Sequence, residues 1–210
     1  MVEPVLYSFR RCPYAMRARL ALAVSATTCE LREIKLSAKP ADMLRASPKG
    51  TVPVLVQADG KTIEQSLDIM HAALGRNDPE SWLDRGDAAL IAINDGPFKY
   101  DLDRYKYPER HDGDALARRA SGLEFLREVE SRLATSPFLC GSTRGLADAA
   151  IIPFVRQFAA VDSSWFESQP LPHVQRWLSD YLASPLFAAI MLRVPVWSPG
   201  AAPVFFPARQ

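Results

Sequence analysis

The sequence predicts a two-domain protein, in which an α/β domain with a four-stranded mixed sheet precedes an all-α helical domain. Three observations predict this division. Residues 1–75 carry strand and helix signals in the order β-α-β, short helix, β-β-α. The polar, proline-containing segment 76–81 follows as a linker. Strand signals then stop, and residues 82–194 show helical periodicity before an irregular tail over 195–210.

The composition is that of an ordinary globular chain, and it excludes several classes of protein. The 210 residues include 25 Lys and Arg against 24 Asp and Glu, a net charge of +1. This balance gives no general attraction to nucleic acid or to an anionic membrane, so we expect neither as a partner. No apolar run approaches the ~20 residues of a membrane helix. Residues 1–8 lack a basic segment followed by a long apolar one, so we expect no secretory signal there.

The cysteines and histidines predict neither a disulfide framework nor a metal site. Cys12, Cys29 and Cys140 are odd in number and widely spaced, which favours a reducing, cytoplasmic location. No two histidines have metal-ligand spacing, so we expect no structural zinc. We interpret Cys29 and Cys140 as buried thiols without a chemical role.

The first predicted helix follows a short apolar strand over 5–7 and begins at Pro13. Proline suits the first helical position because its missing N–H would have no partner there, and this makes Cys12 the N-cap. Arg17 and Arg19 fall outside the apolar stripe, so the predicted helix is amphipathic. The stripe consists of Met16, Leu20 and Val24.

The remaining elements are predicted from periodicity and turn residues. In the first domain they are a strand over 30–36, a turn of helix over 41–46, a strand over 52–56, its hairpin partner over 62–63 and a helix over 66–74. The crossover between the first two strands implies that they are parallel. In the second domain, helices are predicted over 82–94, 115–134, 146–159, 172–182 and 185–192.

Cys12 is the candidate nucleophile. At a helix start its thiol faces the backbone N–H groups of Tyr14 and Ala15 and the positive end of the helix dipole, which favour the thiolate. Position 15 carries no second cysteine, so a mixed disulfide would form with an outside thiol. The alternative is a small, buried, apolar cysteine. The order of strand, turn, Cys-Pro and helix favours the nucleophile.

Two other segments could bind a peptide-like ligand. A cis Val52–Pro53 bond would leave the polar backbone groups of Val52 free for a peptide, although most X–Pro bonds are trans. Ser66 is predicted to cap the next helix, whose free N–H groups could bind a carboxylate. A capped helix without a ligand explains Ser66 equally well.

Taken together, these motifs resemble the cytosolic glutathione transferase family. Segments 12–15, 50–55 and 64–69 resemble its thioredoxin-like half, and segment 145–150 resembles the folding motif of its helical half. The chain is similar to cysteine-type bacterial members of the omega and glutaredoxin-like classes. The resemblance implies a thioredoxin-like, glutathione-binding domain over 1–75 and a homodimer.

The resemblance also implies a site for glutathione as co-substrate, with Cys12 forming a mixed disulfide with it. Val52 would pair with the cysteinyl backbone, Gln65 and Ser66 would hold the γ-glutamyl group, and Lys49 would meet the glycyl carboxylate. The implied glutathione-binding residues are Tyr14, Lys49, Val52, Pro53, Gln65 and Ser66.

Two positions depart from the family pattern. Gly145 stands where a helix-capping Ser or Thr is usual, for which we expect a small cost in stability. Gln65 stands where many relatives carry Glu, which removes a charge near the glutamyl amine. The neighbouring Glu64 could compensate for that charge or face solvent.

Aromatic residues around position 100 are candidates for a second-substrate pocket, whose wall the family resemblance places in this part of the chain. We expect one or two of them to line it. The alternative is that they pack in the helical core. The candidates are Phe98, Tyr100 and Tyr105, with Tyr107 nearby.

The functional hypothesis is a glutathione-dependent thiol transferase or reductase that acts on small disulfide or electrophilic acceptors. One alternative is a glutathione S-transferase that conjugates or dehalogenates an electrophile, for which a cysteine is poorly suited because it captures glutathione covalently. Another alternative is a binding module without activity, since a fold does not fix a function.

Overall fold

The fold was obtained as a computed structural model, which describes residues 3–208. It divides into two compact units. The first contains the residues up to Glu80 together with those from Ser184 onward, and the second is Ser81–Ala183. Residues 184–194, whose periodicity predicts them in the helical domain, therefore belong to the first unit. No helix within residues 3–208 is long and apolar enough to cross a membrane.

A mixed sheet forms the centre of the first unit. Its strands are β1 (Val5–Ser8), β2 (Cys29–Glu33), β3 (Val54–Val56), β4 (Thr62–Ile63) and β5 (Phe205–Phe206), in the order β4-β3-β1-β2-β5. Strands β1 and β2 are parallel and the other pairs are antiparallel. Leu6 lies between Leu31 and Leu55 in the register of the central strands.

The sheet has five strands where the sequence predicts four, because part of the C-terminal tail is not irregular. Phe205 and Phe206 pair with Glu30 and Cys29 along the outer edge of β2. Their two-residue strand is too short to give a period-2 signal, and four prolines surround it in the tail.

The helices of the first unit include α1 (Pro13–Val24), α2 (Ala41–Ala46) and α3 (Ser66–Leu74). Cys12 is the N-cap of α1 and Pro13 its first residue, as predicted. The prediction of an amphipathic α1 is wrong, because Arg17 is fully buried and Arg19 is 2% exposed. Helix α1 packs against α3 and against a further helix that includes Pro185, which leaves it little exposed surface.

Among the described residues of the second unit, the regular elements are helices joined by loops. It contains α4 (Ala88–Ile93), α5 (Lys99–Lys106), α6 (Ala115–Thr135), α7 (Leu146–Ala159), α8 (Ser163–Glu167) and α9 (Pro172–Ala183), and α10 (Pro185–Ile190) follows in the first unit. The predicted helix over 82–94 is instead a 3₁₀ turn, Leu83–Arg85, followed by α4. A π-helical segment, Asn94–Phe98, joins α4 to α5.

Candidate active site

Cys12 lies in the turn that connects β1 to α1. The amide of Cys12 donates to the carbonyl of Phe9 at 2.9 Å, and the Cys12 carbonyl accepts the amide of Met16 at 2.9 Å. Its backbone is extended, with φ −71° and ψ 124°, as an N-cap residue requires. The side chain is partly exposed. The turn therefore presents the thiol at the first turn of α1, in the position that the sequence predicts.

The Cys12 thiol contacts a backbone carbonyl. Its Sγ donates to the carbonyl oxygen of Val52 at 3.7 Å, and it makes no capping hydrogen bond with the first turn of α1. A thiol can donate to a carbonyl, whereas a thiolate can only accept. The contact thus suits the protonated form, and the predicted bonds from the Tyr14 and Ala15 amides stay a prediction for the ionised form.

Val52 and Pro53 lie beside the thiol, and the peptide bond between them is cis, the isomer that would leave the Val52 backbone free for a peptide. Val52 is 9% exposed and packs in an apolar cluster that Cys12 adjoins. The other buried members of the cluster are Tyr7, Ile34, Met43 and Val54. This packing brings the carbonyl of Val52, on one segment, to the thiol of Cys12, 40 positions earlier in the chain.

Lys49 is paired with Glu64, a contact that the sequence analysis does not anticipate. The Lys49 Nζ lies 3.2 Å from Glu64 Oε2, and the hydroxyl of Ser47 donates to Glu64 Oε1. The Ser47 hydrogen bond and then the Lys49 ammonium lower the pKa of the Glu64 carboxyl. Glu64 thus holds Lys49 in place, and a carboxylate ligand could take over part of that interaction.

The remaining predicted glutathione-binding residues occupy the start of α3 and of α1. Gln65 is exposed and is the N-cap of α3, while Ser66 is its first residue and is 5% exposed. The sequence predicts Ser66 as the cap itself, one position from the observed cap. The Tyr14 ring lies 5.5 Å from the guanidinium of Arg17.

The predicted second-substrate residues occupy different environments in the helical unit. Phe98 is 1% exposed and lies 4.5 Å from the Phe125 ring, and Tyr105 is 6% exposed and lies 5.2 Å from the Phe158 ring. Both belong to the aromatic core of this unit. Tyr100 is 46% exposed and lies under the guanidinium of Arg104. Their role in a substrate pocket stays a prediction.

Phe98 also borders a cavity of about 290 Å³ within the helical unit. Apolar side chains and three acidic ones line this cavity, together with Ser121. Asp101 is held there by Ser121 Oγ at 2.6 Å and by Arg118 at 3.3 Å. The lining residues are Ile93, Pro97, Phe98, Asp101, Ser121, Glu124, Phe125 and Glu128. Tyr100 and Tyr105 do not line it.

The other two cysteines lie in environments that disfavour the thiolate. Cys29 is fully buried, and burial raises the pKa of its thiol to about 12. Cys140 is only partly buried, so the prediction of a buried thiol is wrong for it, but this burial still raises the pKa of its thiol. Among residues 3–208, no group of three His, Cys, Asp or Glu side chains is placed to hold a metal ion.

Two family descriptions match the chain. Residues 6–82 match the N-terminal domain of glutathione S-transferases, and residues 101–180 match the C-terminal domain. Among curated proteins, glutathione S-transferase U28 of Arabidopsis thaliana is 24% identical over 173 residues, 75% of this chain and 74% of that protein. Glutathione S-transferase U19 of the same plant is 25% identical over 190 residues, 86% of this chain and 85% of that one.

Solved structures give the same result for the fold. The tau class glutathione S-transferase of mango, Mangifera indica, has a TM-score of 0.73 and 25% identity, over 91% of this chain and 93% of its own. A glutathione transferase of Phanerochaete chrysosporium, solved with oxidised glutathione, has a TM-score of 0.74 and 19% identity, over 90% and 92%. With both halves matched, the chain belongs to the glutathione S-transferase family.

Proposed function

We propose that this protein is a glutathione-dependent thiol transferase that works through a mixed disulfide at Cys12. The observation that carries the proposal is the position of this thiol, which is partly exposed at the first turn of α1. A helix start favours a thiolate, and a thiolate is the attacking species in disulfide exchange.

The cycle needs one protein thiol and two exchange steps. The Cys12 thiolate attacks the glutathionyl sulfur of a mixed disulfide, forms a bond to it and releases the acceptor as a thiolate. The thiolate of a reduced glutathione then attacks the Cys12–glutathione disulfide. That second step releases oxidised glutathione and restores the Cys12 thiolate. Since position 15 is Ala, no neighbouring cysteine competes for the intermediate.

Binding of glutathione as co-substrate is supported by the match to the glutathione S-transferase family and by the Val52 backbone beside the thiol. In the proposed complex, the Val52 backbone pairs with the cysteinyl backbone, and Lys49 shifts part of its ion pair from Glu64 to the glycyl carboxylate. Gln65 and Ser66 hold the γ-glutamyl group at the start of α3. Formation of the disulfide removes the Cys12 S–H, so the Val52 carbonyl then loses its contact with that donor.

The second candidate is conjugation or dehalogenation of an electrophile, which the names of the relatives favour. Here Cys12 would stabilise the thiolate of bound glutathione instead of attacking a disulfide. The proposed cysteine-type, glutaredoxin-like subclass predicts weak conjugation, because a reactive cysteine captures the glutathionyl group itself.

The deciding experiment is the intact mass of the protein after exposure to oxidised glutathione, followed by peptide mapping. Trypsin places each cysteine in a different peptide, and residues 12–17 form the peptide with Cys12. We expect one glutathionyl group on Cys12, removed by reduced glutathione, and none in Cys12→Ser. The Cys140→Ser variant is the matched control and should still be modified at Cys12.

The opposite outcome would favour the other hypotheses. If Cys12 stays unmodified and Cys12→Ser still conjugates an aryl halide, the results favour conjugation over disulfide exchange. No adduct, no conjugation and no heat of glutathione binding in calorimetry would indicate a binding module without activity.

We further propose a homodimer in the cytoplasm, where reduced glutathione is available and free cysteines persist. Family membership supports the homodimer. Sedimentation of the purified chain tests it, and a single species at the monomer mass would contradict it.

A further inference from the structure

Two charged side chains lie next to the Cys12 turn, one on helix α1 and one at the end of strand β2. Arg19 is on α1 and is 2% exposed, and Glu33 is the last residue of β2 and is partly buried. Burial raises the pKa of the Glu33 carboxyl, against the opposing effects of the Arg10 hydrogen bond and the Arg19 charge. Burial of a charged group is costly unless the group is paired and hydrogen-bonded, so the partners of Arg19 and Glu33 show what their charges stabilise.

The partners of both side chains are in the turn itself. Arg19 Nη2 donates to the carbonyl oxygen of Arg10 at 2.5 Å, and Arg19 Nη1 donates to the hydroxyl of Ser8. Glu33 Oε1 accepts the amide of Arg10 at 2.7 Å. The two peptide groups of Arg10 are thus held by charges of opposite sign, two residues before Cys12. Charge-assisted hydrogen bonds of this kind are stronger and more directional than neutral ones.

The acid and the turn are also fixed to the sheet. Glu33 is in register with Ser8 across the parallel β1–β2 pair, and the amide of Ile34 donates to the Ser8 carbonyl at 2.9 Å. The carbonyl of Glu33 accepts the amide of Trp197 at 2.8 Å. Because the peptide group between Glu33 and Ile34 is hydrogen-bonded on both of its sides, the Glu33 carboxylate can define the position of Arg10 relative to the sheet.

We propose that Arg19 and Glu33 are positioning residues for Cys12. By fixing the backbone of Arg10, they fix the orientation of the Cys12 side chain. The effect on catalysis rests on the function proposed above, whereas the effect on the thiol itself does not. An error of about 1 Å in such a group can cost on the order of 100-fold in rate. A guanidinium suits this task because its fork reaches two acceptors at once.

The test compares variants that differ in hydrogen bonding at constant charge. Glu33→Gln keeps an oxygen that can accept the Arg10 amide, and Glu33→Ala does not, while both lose the negative charge. Arg19→Lys keeps the positive charge but cannot reach both Ser8 and Arg10 in the same way. Glu30→Ala is the matched control, because Glu30 is on β2 but binds Arg32 instead of the turn.

Three properties of each full-length variant are measured. The first is the rate of alkylation of Cys12 by iodoacetamide against pH, followed on the peptide 12–17, which reports the ionisation of the thiol. The second is the rate of exchange with oxidised glutathione, and the third is the thermal midpoint. We expect the pH midpoint of alkylation to be higher in Glu33→Ala than in Glu33→Gln, which carries the same charge, and exchange in Glu33→Ala to be about tenfold slower than in wild type. Arg19→Lys should slow exchange about threefold, and Glu33→Gln less than that.

The proposal is overturned if Glu33→Ala has the same pH midpoint and exchange rate as Glu33→Gln and Arg19→Lys has the exchange rate of Glu30→Ala, whatever the thermal midpoints. If Glu33→Ala does not fold, equal values in Arg19→Lys and Glu30→Ala overturn it. A wild-type protein that does not exchange with glutathione contradicts the proposed function alone. In that case, a midpoint that is higher in Glu33→Ala than in the equally charged Glu33→Gln still supports the positioning role.

Discussion

At the scale of single residues, Gly145 illustrates how a close contact decides which side chain a position can carry. A Cβ atom at Gly145 would lie 2.7 Å from the carbonyl oxygen of Arg85 and would also overlap the Arg85 Cβ. Capping preferences alone rank Ser above Gly at a helix N-cap by a few tenths of a kcal/mol. We expect the reverse here: Gly145→Ser should lower the free energy of unfolding by about 1–3 kcal/mol in urea titration.

The matched control for this substitution is Gly96→Ala. Gly96 lies in the π-helical segment without a positive φ, and a Cβ atom there would meet nothing within 4 Å among residues 3–208 outside its own helical turn. Alanine there should leave stability unchanged or raise it by up to about 1 kcal/mol, because glycine loses more backbone entropy on folding. A Gly145→Ser variant as stable as Gly96→Ala would show that Arg85 moves aside without cost.

The buried thiol of Cys29 gives a prediction about alkaline pH. Burial raises its pKa from 9.0 to about 12 in the folded protein. A group with a raised folded pKa contributes stability below its unfolded pKa and loses that contribution as pH rises toward the folded value. Between about pH 8 and about pH 10.5, Cys29 should therefore reduce the free energy of unfolding by about 2 kcal/mol.

The Cys29→Ala variant isolates this effect from the other alkaline groups. The variant lacks the titrating thiol, so its free energy of unfolding should not fall for this reason. The difference in free energy of unfolding between wild type and variant should therefore shrink by about 2 kcal/mol over that range, as measured by denaturant titration at each pH. A difference between the two proteins that is constant from about pH 8 to about pH 10.5 would contradict the raised pKa.

At the scale of secondary-structure elements, the start of α7 depends on one buried carboxylate. Asp148 is 4% exposed and accepts the amides of Leu139 and Gly145 and the indole N–H of Trp177, each at 3.0 Å. Asp148→Asn directs an amide group toward one of these donors and should cost about 1–3 kcal/mol in the free energy of unfolding. Asp148→Ala leaves all the donors unpaired and should cost more.

An exposed aspartate provides the comparison for Asp148. Asp162 is the N-cap of α8 and accepts the amide of Trp165 at 3.0 Å in an exposed position. Water can replace Asp162 as an acceptor, so Asp162→Asn should cost less than about 1 kcal/mol. Equal losses in Asp148→Asn and Asp162→Asn would mean that burial of the three donors does not govern stability.

Most elements were predictable because their signals are local. Periodicity and proline position gave the start of α1 at Pro13, the bounds of α2, α3 and α7, and the turn that carries Cys12. The burial of Arg17 and Arg19 was not predictable, because helical periodicity identifies an apolar stripe but does not reveal that partners cover the other faces. The pairing of Lys49 with Glu64 likewise depends on tertiary structure.

At the scale of the whole molecule, the sequence predicted which chain segments form the site, but it did not predict the contacts between them. The motifs placed Cys12 and Val52 in one site, and the structure brings the thiol and the carbonyl together. The sequence could not show that the thiol faces this carbonyl, because that depends on packing between segments 40 residues apart. The aromatic candidates Phe98 and Tyr105 could have been core or pocket residues on spacing alone.

The C-terminal tail connects the end of the chain to the sheet of the first unit. Besides the pairing of β5 with β2, the amide of Leu31 donates to the carbonyl of Val204 at 2.7 Å. The Arg32 guanidinium lies 4.3 Å from the Trp197 ring. The Cys29 thiol donates to the carbonyl of Phe206 at 3.4 Å. The tail thereby covers an edge strand that would otherwise expose unpaired backbone groups.

Removal of this tail should uncover the β2 edge and the thiol beneath it. A chain that ends at Pro195 loses the 2%-exposed Phe206 and the backbone bonds of Leu31 and Glu33. We expect its free energy of unfolding to fall by about 3–5 kcal/mol. Native-state alkylation should then reach Cys29, which is protected in the full chain, whereas a chain that ends at Pro207 keeps β5 and should protect it. Continued protection of Cys29 after truncation at Pro195 would mean that α1 and the sheet bury it without the tail.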